Sequence, residues 1–463
     1  MKVTIGSQIR VDDPSAQLTK WCRDNLIIAN PDYIKKQRMG FWTGNIPQKL
    51  YLYEMRGDTI YIPFGCLRSI LGLLTGAQIS NTFIHPDEVD YNADIELRSY
   101  QEEAMNMMVR HQYGILQAPA GSGKTQIGIA LACEQRVRTL WLTHTKDLLN
   151  QSKERAERYI SKDLIGTITE GKVNIGEGIT FATIQTMCKL DLDKYRDQWD
   201  CIIVDECHRV AGSPTAVTQF SKVLNRLKAR HKYGLSATVH RSDGLIKSTY
   251  SLLGEIIHTV PPEAVAEYIM QVYIQPVGTG VQLSRECLNG DGTINYTSMI
   301  TYLTQLEGRN EQIVCDLISN MKHYNLILSE RVGHLKTLYQ SLPKDLQEVA
   351  VFVDGTMTSK RQKEERNAAF EQMRNGEKHY LFATYQLAKE GLDIPRLDRL
   401  FLTTPQKDYA VITQSVGRVD RTFPGKEQPI VYDYVDAHRG AIKSYKKRCT
   451  SYRKCNCVIL EDK

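Results

Sequence analysis

Eight residues in the first third of the chain, Ala118–Thr125 with the sequence APAGSGKT, have the types and spacing of a loop that binds phosphate. Gly121 and Gly123 allow backbone conformations that a Cβ atom would block, so successive N–H groups can turn towards phosphate oxygens. Lys124 would reach the β and γ phosphates of a nucleotide, and Thr125 would hold Mg²⁺. The loop backbone that would contact the nucleotide comprises Ala120, Gly121, Ser122 and Gly123. A glycine-rich turn that merely ends in lysine is the alternative for this loop taken alone.

A second candidate is the acidic pair in CIIVDEC, where an apolar run over Cys201–Val204 leads into Asp205 and Glu206. A buried strand with this pattern delivers its acids to the carboxyl edge of a parallel sheet, where the phosphates would lie. Asp205 would then bind Mg²⁺, and Glu206 would polarise a water molecule for attack on the γ phosphate. An acidic pair after a strand is elsewhere usually a solvated turn.

These residues need a sheet to hold them. The apolar run Tyr113–Leu116 predicts a strand before the loop, and Ile127, Ala130 and Leu131 recur after it at helical spacing. About eighty residues separate the loop from the acids, which is room for intervening strand and helix units of one nucleotide-binding domain.

With DECH at Asp205–His208, the chain resembles a superfamily 2 helicase, and the resemblance covers roughly residues 95 to 435. The segment LRSYQ, upstream of the loop, is similar to the family's adenine-binding segment. The resemblance therefore implies that Gln101 reads the adenine base and that Arg98 belongs to the same nucleotide-binding segment.

Three further segments of the first half resemble family motifs that grip nucleic acid or couple hydrolysis to movement. They are Thr143–Gln151, Thr180–Met187 and the SAT sequence at Ser236–Thr238. SAT continues as VHRSDG, similar to the branch that contains XPB, UvsW-like phage helicases and restriction-enzyme motors, although Val239 replaces the usual proline. The resemblance assigns nucleic-acid contact or coupling to seven residues, Thr143, His144, Thr183, Gln185, Ser236, Thr238 and Arg241.

The second half is similar to the family's remaining motifs, in Leu326–Leu338, Ala383–Pro395 and Gln414–Arg421. The first of these begins as a strand and becomes a helix. Implied contacts to nucleic acid or nucleotide fall on Ser329, Thr384, Gly391 and Asp393. The resemblance implies a catalytic role for Gln414. Arg418 and Arg421 are predicted to lie one helical turn apart and to neutralise charge on the transferring phosphoryl group. Two arginines on a helix are otherwise an ordinary surface face.

The resemblance implies an α/β fold with two tandem RecA-like domains built on parallel sheets, plus a small α+β amino-terminal domain. We predict an accessory, DNA-binding domain over residues 1–92, an ATP-binding RecA-like domain over 93–262 and a second RecA-like domain over 263–463. The expected cofactors are ATP and Mg²⁺. The length of 463 residues suits about three domains.

Composition adds little that is specific. The net charge of +6 is modest for a nucleic-acid binder, and eleven cysteines without a repeated spacing are typical of reduced thiols rather than of a zinc site. No signal segment or apolar run long enough to cross a bilayer is evident, so we expect a soluble, cytoplasmic protein of a bacterial or phage-infected cell.

Three regions of the sequence each fit more than one interpretation. Lys35, Lys36, Arg38, Phe41 and Trp42 fit either a nucleic-acid contact or a solvated loop. The prolines Pro261 and Pro262 mark a hinge, and Asn289–Gly292 predicts an exposed turn, either a strand-separating pin or a plain loop. The basic segment Arg439–Lys454 fits a helix flanking nucleic acid or, as we favour, one packed on the second domain with its charges in water.

The function predicted from the sequence is an ATP-dependent DNA helicase or translocase that remodels branched DNA, acting as a monomer and without a membrane. Forked or branched duplex DNA is the expected partner. An RNA helicase, and an ATP-gated clamp or sensor that does not unwind, are the alternatives.

Overall fold

The computed structural model describes residues 1–84, 87–119, 121–237, 244–353, 360–389 and 392–461. The chain divides into two compact units, Met1–Pro261 and Pro262–Lys463. The boundary falls between the two prolines that the sequence marks as a hinge. The finer division into three domains stays a prediction.

The first unit begins with a region of short elements. In chain order they are β1 Lys2–Ile5, β2 Gln8–Asp12, α1 Ala16–Asn25, β3 Ile27–Ala29, α2 Pro31–Arg38, β4 Lys49–Tyr51, β5 Glu54–Arg56, β6 Thr59–Pro63, α3 Leu67–Ile70 and β7 Gln78–Asn81. One mixed sheet has the order β5-β6-β2-β1-β7, and β3 pairs separately with β4. Strands β5 and β6 pair antiparallel and form a hairpin.

This amino-terminal region shares a hydrophobic core with the rest of the first unit. Ile60 and Ile62 pack in one buried cluster with Val217 and Leu245. The ammonium of Lys232 is buried and donates hydrogen bonds to the carbonyls of Ser7 and Leu224, at 3.1 and 2.8 Å. Apolar and polar contacts therefore both hold the region in place.

The remainder of the first unit is one large sheet with helices on it. Its elements are α4 Ser99–His111, β8 Tyr113–Gln117, α5 Lys124–Gln135, β9 Thr139–Thr143, α6 Lys146–Ala156, β10 Ile165–Thr169, β11 Lys172–Asn174, β12 Ile179–Thr183, α7 Ile184–Met187, β13 Cys201–Asp205, α8 Pro214–Leu224, β14 His231–Ser236, α9 Ile246–Leu253 and β15 Ile256–Thr259. The order is β11-β10-β12-β9-β13-β14-β8-β15, and only the pair β10 with β11 is antiparallel among these described strands. Both faces are covered by helices, which is why the central strands read as continuous apolar runs. The strands predicted at Tyr113–Leu116 and Cys201–Val204 are confirmed as β8 and β13.

The second unit has a parallel sheet of its own. Its elements are α10 Pro262–Ala266, β16 Tyr273–Gly278, α11 Tyr296–Gln305, α12 Glu307–Ser319, β17 Asn325–Ser329, α13 Val332–Gln340, α14 Lys344–Glu348, β18 Ala350–Val353, α15 Lys360–Asn375, β19 Tyr380–Thr384, α16 Tyr385–Lys389, β20 Arg399–Leu402, α17 Tyr409–Val416, β21 Ile430–Val435, α18 Arg439–Lys454 and β22 Val458–Ile459. The order is β18-β19-β17-β20-β21-β16-β22, and every described pair is parallel. The strand and helix predicted for Leu326–Leu338 are confirmed as β17 and α13.

The basic carboxyl-terminal helix α18 packs on the second unit, as favoured from the sequence. Lys443, Lys446 and Lys447 are exposed, but Arg448 is an exception. Its guanidinium is buried and makes two hydrogen bonds, of 2.7 and 2.8 Å, to the carboxylate of Asp433 on β21. Its role is therefore to anchor the helix.

The sequence predicts an exposed turn at Asn289–Gly292, and this turn is confirmed. It is closed by an antiparallel bridge between Leu288 and Ile294 and by a 2.7 Å hydrogen bond from the Asn289 amide to the Thr293 carbonyl. In the described part of the chain, no helix combines the length and apolarity needed to cross a bilayer. The eleven cysteines are free thiols, and no cluster of metal-binding side chains is present among the described residues.

Gly65 sits where the amino-terminal region meets α9, and it offers a direct test of that contact. A Cβ atom there would lie 2.4 Å from the Gly254 amide nitrogen and 2.6 Å from the Tyr250 carbonyl oxygen. Because both neighbours are backbone, Gly65→Ala should destabilise the first unit by about 1–3 kcal/mol in urea unfolding. Gly72→Ala, whose Cβ would meet nothing within 4 Å, is the matched control and should be close to neutral. Equal effects of the two substitutions would contradict the packing described.

Candidate active site

The phosphate loop lies between the end of β8 and the start of α5, as predicted. Gly121 and Gly123 have φ angles of +77° and +75°, in the left-handed region that favours glycine. Helix α5 begins at Lys124, and Gly123 is its N-cap residue. The loop therefore presents backbone N–H groups at a helix amino terminus, which attracts anions. Ala120, also predicted to contact nucleotide, lies outside the described residues.

Two side chains from the start of α4 hold the shape of this loop. The Tyr100 hydroxyl and the Gln101 side-chain amide both donate to the Ser122 carbonyl, at 3.0 and 2.9 Å. The other end of the Gln101 amide accepts from the Arg98 backbone N–H at 3.0 Å. The adenine contact assigned to Gln101 stays a prediction. Its support of the loop was missed because the sequence does not show that the two segments touch.

The Lys124 ammonium is turned into its own loop. It donates to the carbonyls of Ala118 and Pro119, at 3.1 and 3.3 Å. These two bonds keep the positive charge beside the backbone N–H groups of the loop. The hydroxyl of Ser122 is buried and has no hydrogen-bond partner among the described residues, so the loop keeps a donor for a further acceptor such as a phosphate oxygen.

The acidic pair stands at the end of β13. The Asp205 carboxylate is buried and accepts hydrogen bonds from the Glu206 amide at 2.9 Å and from the Ser152 hydroxyl at 3.2 Å. Burial, and then the charge of Glu206, raise the pKa of Asp205. Glu206 has a φ of +48°, a strained conformation for a residue with a Cβ atom.

Glu206 is the more readily ionised member of the pair. Burial raises its pKa, but the contact with His208 and the charge of Lys124 outweigh burial, so the pKa of Glu206 is lowered. The His208 Nδ1 atom lies 3.2 Å from the Glu206 Oε2 atom. An ionised carboxylate is the form that can accept a proton from water.

Ser236 connects the loop to the acidic pair. It ends β14, which lies between β13 and β8 in the sheet. Its carbonyl accepts a 3.0 Å hydrogen bond from the Ala118 amide, and its hydroxyl is 3.0 Å from the His208 Nδ1 atom. The coupling role assigned to Ser236 stays a prediction, and Thr238 and Arg241 lie outside the described residues.

The remaining predicted nucleic-acid residues of the first unit lie together at the ends of β9 and β12. Thr143 and Thr183 are direct partners in the parallel register of these strands. Both are buried, and their hydroxyls bond to neighbouring protein atoms. The Gln185 side chain donates to the His144 carbonyl at 2.8 Å. The structure brings the four residues together, and their contact with nucleic acid stays a prediction.

The prediction that Arg418 and Arg421 share one helix is wrong. The helix α17 ends at Val416 because Gly417 follows as its cap and the chain turns away. Arg418 lies in the turn, and Arg421 lies in an isolated bridge with Ile269.

Both arginines instead contact the segment Ala383–Pro395. The Arg418 guanidinium donates to the carbonyls of Ala388 and Leu392, each at 2.8 Å, and the Arg421 guanidinium forms an ion pair with the Asp393 carboxylate. Sequence reasoning missed this ion pair, although it named both residues for the same nucleotide. Gly391 lies outside the described residues.

Ser329, Thr384 and Gln414 complete the predicted set in the second unit. The Ser329 hydroxyl is buried, 3.0 Å from the His334 Nδ1 atom, and Thr384 accepts from the Leu387 amide at 3.4 Å. The Gln414 Oε1 atom is buried without a hydrogen-bond partner among the described residues. The ligand contacts predicted for the three residues stay predictions.

The first unit offers suitable ligands for Mg²⁺. Thr125 is partly exposed directly after Lys124, and the buried Asp205 supplies a carboxylate. Mg²⁺ takes oxygen ligands and is commonly held by one or two carboxylates together with phosphate oxygens and water. The donor set therefore fits this ion, with the nucleotide completing its coordination.

Two family models match the chain. Residues 94–241 match the type III restriction enzyme res subunit, and residues 309–422 match the helicase conserved C-terminal domain. With the two sheets, whose described strand pairs are parallel apart from β10 with β11 in the large sheet of the first unit, these matches define a helicase with two RecA-like domains. The chain belongs to the superfamily 2 helicases and is an ATP-dependent helicase, and its helicase domains imply ATP binding.

Curated relatives are helicases and translocases. The chain is 27% identical over 412 residues to a putative ATP-dependent RNA helicase of Acanthamoeba polyphaga mimivirus, covering 87% of this chain and 75% of the relative. It is 30% identical over 182 residues to the DNA 3'-5' translocase XPB2 of Sulfurisphaera tokodaii, covering 39% of this chain and 40% of the relative.

The fold is shared by a solved fragment of a restriction enzyme. A fragment of a putative HsdR subunit of a type I restriction enzyme from Vibrio vulnificus has a TM-score of 0.59 at 16% identity, covering 97% of this chain and 83% of that chain. The T4 UvsW structure has a TM-score of 0.43 at 20% identity, covering 100% of this chain and 99% of that chain.

Gly123 allows a test of the loop geometry. A Cβ atom at this position would lie 2.4 Å from the Gln101 Nε2 atom and would sit on a backbone with positive φ. Gly123→Ala should therefore weaken binding of a fluorescent ATP analogue at least tenfold, because moving Gln101 aside breaks its hydrogen bond to the Ser122 carbonyl, which holds the loop. Gly171→Ala is the control, since it has a φ of +78° and no neighbour within 4 Å. Wild-type affinity in Gly123→Ala would show that the loop described does not hold the nucleotide.

Proposed function

We propose that this helicase acts on DNA and remodels branched substrates, by branch migration or fork regression, in replication, recombination or repair. The observation that carries the motor part of the proposal is the position of Ser236. Its carbonyl contacts the loop and its hydroxyl contacts the acidic pair through His208, at 3.0 Å each. A change at the γ phosphate can therefore be transmitted through these two contacts to the segment that follows Ser236.

The residues of the chain divide the work of hydrolysis. The loop N–H groups and Lys124 bind the phosphates, and Glu206 orients and deprotonates the attacking water. Arg418 and Arg421 supply positive charge to the transferring phosphoryl group, which for arginine fingers in general contributes roughly 10³ to 10⁵ in rate. Mg²⁺ bound by Thr125 and Asp205 would neutralise charge on the β and γ phosphates. To contact the nucleotide, Arg421 must first break its ion pair with Asp393.

DNA is the substrate that we propose, and the Sulfurisphaera tokodaii relative, which is named a DNA translocase, supports it. The viral relative is named an RNA helicase over most of this chain, so RNA is the second candidate. A clamp or sensor would share every ATPase residue and would differ only by failing to move. We further propose that the protein acts as a monomer in the cytoplasm of a bacterial or phage-infected cell.

A strand-displacement assay on matched substrates tests the proposal. Synthetic four-way junctions, DNA forks and the corresponding RNA forks are compared with and without ATP. We expect ATP-dependent displacement of DNA strands, and ATP turnover that rises with DNA and falls with salt because the activating contacts are to phosphates. Lys124→Ala should abolish displacement and turnover while retaining the folded circular dichroism spectrum.

The possible outcomes separate the candidates. Equal activity on RNA would overturn the DNA assignment. Binding without displacement of any strand would favour the clamp. Resolution of forks but not of junctions would restrict the proposal to fork remodelling.

A further inference from the structure

A groove in the first unit lies between the amino-terminal region and α8, outside the helicase motifs. It has a volume of about 820 Å³. One wall comes from β2, β4, β5 and β6, and the other comes from the segment around Arg196 and from the end of α8. We call this the amino-terminal groove. Six basic side chains line it: Arg10, Lys49, Arg56, Arg196, Lys222 and Arg226.

The charges of the groove are not balanced by its own acids. Its lining contains two carboxylates, Glu54 and Asp193, against six cations. Glu54 is paired with Arg56 at 2.8 Å, and Asp193 lies 3.5 Å from Arg226. Arg10 is paired at 3.0 Å with Asp12, which lies outside the lining. Lys49 and Arg196 are exposed and take part in no ion pair among the described residues. The groove thus carries an excess of positive charge in a chain whose total charge is only +6.

The two walls are close enough to act on one ligand. The hydrogen bond from Arg56, against the opposing effect of burial, holds the pKa of Glu54 below its usual value, and the charge of Arg226 on the facing wall contributes in the same direction. The walls are also fixed, because Val217 of α8 packs in the same core as Ile60 and Ile62 of β6. The groove is therefore already formed before a ligand binds.

Aromatic rings accompany the cations. Tyr51, Tyr53 and Tyr61 line the groove, and Tyr51 is 64% exposed. Cationic side chains that follow a phosphate backbone, together with exposed rings on which bases can stack, form the common pattern for binding single strands without sequence preference. Six cations against two carboxylates suit a polyanionic strand, because each cation can neutralise a phosphate.

The groove also adjoins the helicase motifs. The Lys222 ammonium donates a 2.6 Å hydrogen bond to the carbonyl of Cys188, which caps α7. Helix α7 contains Gln185 and directly follows Thr183, two of the residues predicted to contact nucleic acid. A nucleic-acid strand that leaves this segment can therefore reach the groove within the same unit.

We propose that the amino-terminal groove is a second binding site for a single nucleic-acid strand, held through its phosphates by the groove cations and through a base stacked on Tyr51. This site rests on the proposed function, since it gives the motor a hold on one displaced arm of a branched substrate. It differs from the loop around Phe41 and Trp42, which lies outside the groove lining.

Binding of an end-labelled oligothymidylate, measured by fluorescence anisotropy without nucleotide over a series of salt concentrations, tests the site. The double variant Lys49→Gln with Arg196→Gln removes two cations that have no other ion pair among the described residues. The slope of log affinity against log salt should fall by about 1.4, because each lost phosphate contact on a single strand contributes about 0.7. The matched control, Lys162→Gln with Lys172→Gln, removes two exposed lysines of the same unit outside the groove.

A second pair of variants tests the stacking. Tyr51→Ala should weaken binding about fivefold or more, whereas Tyr51→Phe should keep the wild-type affinity. A wild-type slope in the groove double variant, or an equal fall in the control, would overturn the site. Because these measurements need no ATP, they separate the groove from the proposed function, which fails if the wild-type protein displaces no DNA strand.

Discussion

The parallel register of β13, β14 and β8 is the constraint on which the catalytic machinery of the first unit depends. Asp205 is opposite Leu235, and Ser236 is opposite Gln117, so the three strands end at one edge of the sheet. Asp205 and Ser236 are the last residues of β13 and β14, and Glu206 and the phosphate loop follow the ends of β13 and β8. A shift of one residue in this register would exchange the faces of the strand and separate the groups that must act together.

Because these groups already meet at one edge of the sheet, few side chains are needed to hold the site. The loop is fixed from outside by Tyr100 and Gln101 through the Ser122 carbonyl, and from inside by Lys124. Burial raises the pKa of Asp205, whereas the contact with His208 lowers the pKa of Glu206 against the effect of burial. Each of these contacts positions a group before nucleotide binds, so less reorganisation is left for the reaction itself.

Local patterns allowed the strands β8, β13 and β17 and the loop glycines to be predicted, because apolar runs and φ requirements are properties of short segments. Long-range contacts could not be predicted in the same way. Arg448 carries the same charge as its exposed neighbours, and only Asp433 on β21 explains its burial. The helix expected to carry Arg418 and Arg421 ends at Val416, because the chain turns at Gly417 to bring both guanidinium groups onto the segment Ala383–Pro395. The amino-terminal groove joins segments that are far apart in sequence, so only the structure shows it.

We propose that Glu206 activates the water that attacks the nucleotide held by the loop. Single-turnover hydrolysis and ATP binding measured together on Glu206→Gln test this role, with the exposed Glu177→Gln as the matched control. We expect Glu206→Gln to bind ATP with near wild-type affinity but to hydrolyse it about 10² to 10⁴ times more slowly, because the amide cannot accept the proton. Hydrolysis at the wild-type rate would contradict the assignment of the site.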